Sequence, residues 1–163
     1  MRFAYADPPY PGCAHFYPEK QEVDHAKLIL ELEAYDGWAL STASTTLHSV
    51  LSLCPNDVRI AAWVKPFCSF KPNVNPAYAW EPVIWKSSRK RTREQLTVRD
   101  WIAEPITLQR GLTGAKPDAF CHWLFELLNI GDGDTFDDFF PGTRAVSHAF
   151  EQWQHGLWNE IPA

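Results

Sequence analysis

Apolar residues fall along this chain in short runs cut by prolines, glycines and acidic turns. Arg2 to Ala6 reads as a strand, stopped at once by Asp7-Pro8-Pro9-Tyr10-Pro11-Gly12, where three prolines forbid both a helix interior and a central strand. Leu28, Leu32 and Tyr35 recur at helical spacing after Asp24, and Asp36-Gly37 closes that helix. Trp38 to Thr42 is a second strand. Ser44-Thr45-Thr46 precedes a helix carrying Leu47, Val50, Leu51 and Leu53, which Pro55-Asn56 ends. Arg59 to Val64 and Pro82 to Trp85 are further strands, and Thr97 to Trp101 is too short to assign. Lys116-Pro117-Asp118 opens a helix with Phe120, Trp123, Leu124, Leu127 and Leu128 on one face, stopped at Gly131-Asp132-Gly133. Thr135 to Phe140 is the last strand, and Val146, Phe150 and Trp153 mark the final helix. This alternation predicts an α/β fold of about five strands, a largely parallel sheet covered by helices on both faces.

With 163 residues, 45% of them hydrophobic, the chain is sized for one domain spanning residues 1–163. Eight Trp, ten Phe and five Tyr, with thirteen Pro, exclude a coiled coil or a disordered tail. No apolar run reaches the roughly 18 residues of a membrane span, and MRFAYADPPY carries no signal-like core, so a cytoplasmic location is expected. Cys13, Cys54, Cys68 and Cys121 never approach a C-x-x-C spacing, which excludes a zinc knuckle or redox pair and leaves buried thiols. His148 and His155 are seven apart, and His48 and His122 stand alone in helical segments, so no metal is expected. No nucleophile elbow, phosphate loop or H-E-x-x-H is present.

The net charge of -5 hides an asymmetry. Lys86, Arg89, Lys90, Arg91, Arg93 and Arg99 stand against Glu94 alone, giving +5 locally and -10 elsewhere. A charge run by itself is most often a solvated loop; its alternative use is contact with nucleic-acid phosphates, for which Arg89, Lys90, Arg91 and Arg93 are the candidates.

Chemistry concentrates after the first strand. Ligands of open α/β sheets bind beyond the carboxyl ends of strands, where Asp7 is expected. Two prolines stiffen the backbone and remove two N–H donors, leaving carbonyl acceptors beside a carboxylate and then an aromatic face. Such a corner suits a planar ring with an exocyclic amine: one hydrogen to Asp7, the other to the Pro8 carbonyl, Tyr10 against the ring.

Asp7-Pro8-Pro9-Tyr10 resembles the D-P-P-Y/W motif of S-adenosylmethionine-dependent amino-methyltransferases that modify adenine N6 in DNA or RNA. In the permuted (beta-class) members this motif lies near the N-terminus, and a K-P, a helix and D-x-F-x-G-x-G follow near the C-terminus. Here the order is Lys116-Pro117, a helix, then Asp138-Phe139-Phe140-Pro141-Gly142-Thr143-Arg144. The resemblance implies a Rossmann-like methyltransferase three-layer sandwich, truncated. It implies S-adenosylmethionine as cofactor, held by Lys116, Asp138, Phe140, Gly142 and Thr143, and catalysis by Asp7, Pro8, Pro9 and Tyr10. DNA is the implied partner, with RNA the other polymer carrying the same base.

Arg144 departs from the family pattern by standing where a second glycine is expected, and no further strand before Ala163 presents the family's ribose-gripping acid. A second reading follows: a catalytically degenerate binding module or partner subunit. Glu151 and Glu160 are substitutes only if the tail folds back. The stretch 86–115 occupies the target-recognition position but is short, which calls for weak sequence preference, a homodimer or a heteromeric partner. His15 and Lys65-Pro66 are weaker pocket candidates.

Overall fold

The computed structural model describes residues 1–16, 21–66, 73–107 and 115–155. Among the described residues there are six strands: β1 (Arg2–Ala6), β2 (Gly37–Ser41), β3 (Arg59–Val64), β4 (Trp80–Ser87), β5 (Trp101–Ala103) and β6 (Thr135–Asp138). Four α-helices accompany them: α1 (His25–Leu32), α2 (Leu47–Leu51), α3 (Asp118–Leu128) and α4 (Ala145–Gln154). The strands form one sheet in the order β5-β3-β4-β2-β1-β6.

β1 is parallel to β2 and β6, and β3 to β5, while β4 is antiparallel to both its neighbours. The sheet is therefore mostly parallel with one reversed strand. Pro66, Pro72 and Pro76 disfavour a long crossover helix in the sequence between β3 and β4, which accords with the antiparallel return. β4 is longer than the four residues expected, since Trp80-Glu81 and Lys86-Ser87 also pair with β3 or β2. β5 is an addition to the predicted strands: its three residues carry too little pattern to read locally and are recruited by pairing with Ala62–Val64. β6 ends at Asp138 rather than Phe140, where Pro141 turns the chain.

Two apolar cores flank the sheet. Phe3, Tyr5, Trp63, Val83 and Trp85 face α3 and α4. Ala4, Ala6, Trp38, Leu40 and Ile84 face α1 and α2. Asp24 caps α1 by accepting from the Lys27 amide at 3.0 Å. Cover on the α1/α2 side thins toward β5, where Ile60, Trp80 and Trp101 remain exposed among the described residues. Gly37 is required at the start of β2, because a Cβ there would sit 2.8 Å from two carbons of the Phe3 ring and 3.2 Å from the Lys86 carbonyl.

All strands but β4 end at one rim of the sheet, so that carboxyl rim collects the turns after β1 and β6 together with the first residues of β4. α3 runs back across the sheet, bringing Lys116 to the carboxyl rim and Asn129 to the amino rim. Cys121 is buried as expected, Cys13 and Cys54 are only partly so, and Cys68 lies outside the described residues. Burial pushes the Cys121 thiol up to about 12 and, with Glu33, the Cys54 thiol up to about 11, so neither offers a thiolate nucleophile at neutral pH.

Candidate active site

Asp7 leaves the end of β1 beside the end of β6, whose Phe139 amide donates to the Tyr5 carbonyl at 2.9 Å. Adjacent parallel strands thus put Asp7 and the turn containing Gly142 on the same rim. The loop after Asp7 is pinned: the Cys13 amide donates to the Tyr10 carbonyl at 2.8 Å, and Glu22 accepts from the Gly12 and Ala14 amides at 3.2 and 3.3 Å. Gly12 takes φ +79°, a conformation that suits glycine at this bend. Pro8 is buried and Asp7, Pro9 and Tyr10 are half-buried, so the rigid corner expected from the prolines is present with its carboxylate reachable.

The electrostatics beneath Asp7 come from three other segments. Lys116 Nζ lies 3.1 Å from Asp7 Oδ2 and 2.6 Å from Glu81 Oε1, while Lys65 Nζ lies 2.9 Å from Glu81 Oε2. Lys65, Glu81, Lys116 and Asp7 therefore form a row of alternating charge. The Trp63 ring faces both ammonium groups, with centroid distances of 4.4 Å to Lys65 and 5.1 Å to Lys116. Burial raises the Asp7 carboxyl above its ordinary value, and Glu81 and Asp138 add to this while Lys116 opposes it. For Glu81 burial also acts upward, but Lys116 and Lys65 outweigh it and hold that carboxyl at about 2. Lys116 shows the mirror image: burial disfavours its charge, yet Asp7 and Glu81 lift it well above the usual ammonium value. Burial, then the Asp7 charge, raises Tyr10, which stays a neutral phenol. Tyr5 and Ser41 share a 2.7 Å hydrogen bond nearby.

Of the residues expected to hold cofactor, Asp138 is half-buried. Its Oδ2 accepts from the Ser147 hydroxyl at 3.0 Å, while Oδ1 is buried without a partner among the described residues. Gly142 takes φ +43° in an exposed turn with Thr143. Arg144 begins α4 at φ 61° and reaches outward, 72% exposed, with Nη2 3.6 Å from Glu151. The Arg144 side chain is thus turned to solvent beside Glu151. An open cleft of about 420 Å³ lies between Glu22, Asp24, Lys27 and Glu31 on one side and Phe139 and Phe140 on the other.

The basic stretch is elsewhere. Arg89 binds Asp134 through both terminal nitrogens, at 2.5 and 2.8 Å, and donates to the Asn129 carbonyl at 2.9 Å. Arg91 pairs with Glu126, and the Lys90 carbonyl accepts from Asn129. Lys86 bridges Glu33 and Asp57 at 3.1 and 3.2 Å. All of this gathers at the amino rim, opposite Asp7. Lys90 and Arg93 are exposed.

Glu81 and Glu22 are the site residues that local sequence reasoning passes over. Glu81 had a readable signal, since 81, 83 and 85 share one face of a strand and the other two are Val83 and Trp85. An acid on an apolar stripe needs a buried partner. His15 is exposed. Among the described residues no cluster of three His, Cys, Asp or Glu could hold a metal, and no helix is long and apolar enough to cross a membrane.

No family model and no curated protein matches the sequence. Among solved structures the chain is similar to M1.HpyAVI in complex with SAM, with a TM-score of 0.61 and 13% identity over 94% of this chain and 78% of that one. It is also similar to a second crystal structure of M1.HpyAVI, with a TM-score of 0.57 and 15% identity over 93% of this chain and 76% of that one. At this identity the likeness shows the fold: a reduced Rossmann-like methyltransferase sandwich.

Proposed function

We propose that this protein transfers a methyl group from S-adenosylmethionine to adenine N6 in DNA. The observation that carries the reading is the Asp7 corner. A reachable carboxylate with one oxygen on Lys116 stands in a proline-stiffened turn next to Tyr10, on the same rim as the Gly142 turn. Asp7 Oδ1 and the Pro8 carbonyl accept the two amine hydrogens, Tyr10 lies against the ring, and the held amine keeps its lone pair free for in-line attack. The Asp7 charge would stabilise the positive charge that develops on nitrogen as the N–C bond forms and the methyl–sulfur bond breaks. The neutral thioether leaves, and one amine proton is then lost to water. Extrusion of the base from its stack precedes this.

The residues of the second turn fit the cofactor. Asp138 Oδ1 is a buried acceptor without a partner, matching an ammonium donor; Gly142 keeps its backbone open; and Arg144 points away. Asp138, Phe140, Gly142 and Thr143 would hold it, with the cleft beside Phe139 and Phe140 offering ring faces. When bound, S-adenosylmethionine supplies an electrophilic methyl group. Lys116, expected among the cofactor contacts, is assigned instead to Asp7.

Phosphate contact is proposed for Lys90 and Arg93, since Arg89 and Arg91 are engaged internally. Because these lie at the rim opposite Asp7, a homodimer or a heteromeric partner that presents a second basic surface to the Asp7 rim fits this arrangement. The outward Arg144 side chain supports the enzyme over the degenerate-module reading, and calorimetry decides between the two. Titration with S-adenosylmethionine, with and without adenine-containing DNA, is expected to show micromolar binding; millimolar binding or none in both would retire the stand-alone enzyme.

A further inference from the structure

Glu81 sits 6% exposed on the face of β4 that packs against α3, and Lys116 is 7% exposed beside it. Two charges so deeply placed incur a desolvation penalty that an apolar pair of the same shape would avoid. The geometry is also uneven. Lys116 Nζ is 0.5 Å nearer to Glu81 than to Asp7, and Lys65 secures the far oxygen of Glu81. If Lys116 served Asp7 alone, its ammonium could close on the carboxylate and compete with an incoming amine for the same oxygens.

We propose that Glu81 is a positioning residue: by taking the nearer share of Lys116, with Lys65 steadying it, Glu81 keeps Lys116 off Asp7 Oδ1 and leaves that oxygen for the substrate amine. The inference rests on the methyl-transfer reading. Glu81 touches neither substrate nor cofactor and acts through Lys116. The groups facing Asp7 are Lys116 ahead of α3, Glu81 from β4, Asp138 from β6, and Tyr5 and Tyr10 from its own segment. Glu81 contributes a like charge that raises the Asp7 carboxyl, and Lys116 contributes the opposing one.

The test is an NMR titration of the intact chain labelled at aspartate carboxyl carbons, with the Asp7 signal assigned from Asp7→Asn, run beside steady-state methyl transfer. In Glu81→Gln the Asp7 midpoint is expected to move down by about one pH unit, because a like charge is gone and Lys116 turns wholly to Asp7. KM for the adenine substrate should rise about tenfold with kcat nearly unchanged. Lys65→Gln should move the midpoint the other way, by roughly half a pH unit, because an uncompensated Glu81 draws Lys116 off Asp7. Loss of the Glu81 charge lowers the Asp7 midpoint by itself. The rise in KM at nearly constant kcat is therefore the readout that marks Glu81 as holding Lys116 off the substrate oxygen, and an unchanged KM in a folded Glu81→Gln overturns the proposal. An unmoved midpoint in a folded Glu81→Gln overturns the proposal, and if that variant does not fold, an unmoved midpoint in Lys65→Gln does so. A protein that transfers no methyl group retires the methyl-transfer reading alone; the positioning is then read by direct binding, with adenine affinity expected about tenfold weaker in Glu81→Gln and an unchanged affinity overturning it.

Discussion

Arg89 closes on Asp134 through a two-pronged ion pair at the amino rim, opposite the end of the sheet that bears Asp7. Asp134 is 3% exposed and also accepts from the Met1 ammonium and the Gly131 amide, both at 2.8 Å. A residue that resembled a phosphate contact is holding the starts of β1 and β6 together.

Arg89→Ala should therefore destabilise the protein by about 2 kcal/mol, because it removes the two-pronged partner of a buried carboxylate and leaves it the Met1 ammonium and the Gly131 amide. Lys90→Ala with Arg93→Ala should leave stability unchanged while weakening DNA binding and flattening its salt dependence. Chemical denaturation and binding across a salt series separate the two, and unchanged DNA binding in the double variant would leave these cations merely solvated.

The same pair predicts an acid limit. Burial works against the Asp134 charge, but Arg89, the Met1 ammonium and the Gly131 amide hold its carboxyl well below the usual range. A depressed folded-state value means the stabilisation is complete above the ordinary carboxylate value and is lost as pH falls through the folded one. Asp134→Asn should lower Tm at pH 6 and remove much of the loss in stability between pH 4 and pH 2 seen by thermal denaturation.

At Asp7 the sign reverses. Its folded-state value is raised, so ionisation at neutral pH opposes folding, and stability from this group is complete below the ordinary value and is lost as pH rises through the folded one. Asp7→Asn should leave Tm at pH 7 unchanged or higher while lowering methyl transfer at least about a hundredfold. The acid limb of kcat/KM should lie above the ordinary carboxylate value. A variant that loses activity and stability together would mark Asp7 as a structural turn residue.

Arg144→Ala should change the S-adenosylmethionine affinity by no more than about threefold, since the side chain pairs with Glu151 in solvent. Gly142→Val places a β-branched residue at φ +43° and should weaken binding at least about tenfold. Calorimetric Kd values compare them; strong weakening by Arg144→Ala would return that residue to the pocket.

What could be read locally in the sequence was what is contiguous. Asp7 to Tyr10 announces its corner because three prolines and a carboxylate are neighbours in the chain, and α3 announces itself through Phe120, Leu124 and Leu128. The reversal of β4 is not carried by the apolar pattern, and its one sequence hint is the prolines after Val64, which disfavour a crossover helix. The partners of Arg89, Arg91 and Lys116 could not be read, because Asp134, Glu126 and Glu81 lie 45, 35 and 35 positions away and meet them only once the sheet and α3 are assembled.

The reversal of β4 also makes the site depend on parity. Because β4 enters the sheet at the carboxyl rim, the residue it delivers there is its second, and only odd positions of the strand look toward Lys116. Shifting the strand by one place would turn Glu81 to the opposite face and set Trp80 or Pro82 beneath a buried ammonium. Added residues in the connection before Trp80 can be absorbed as slack. A single residue inserted between Glu81 and Trp85 cannot, because it pits the apolar face of Val83 and Trp85 against the charge at the rim and only one of them can keep its place.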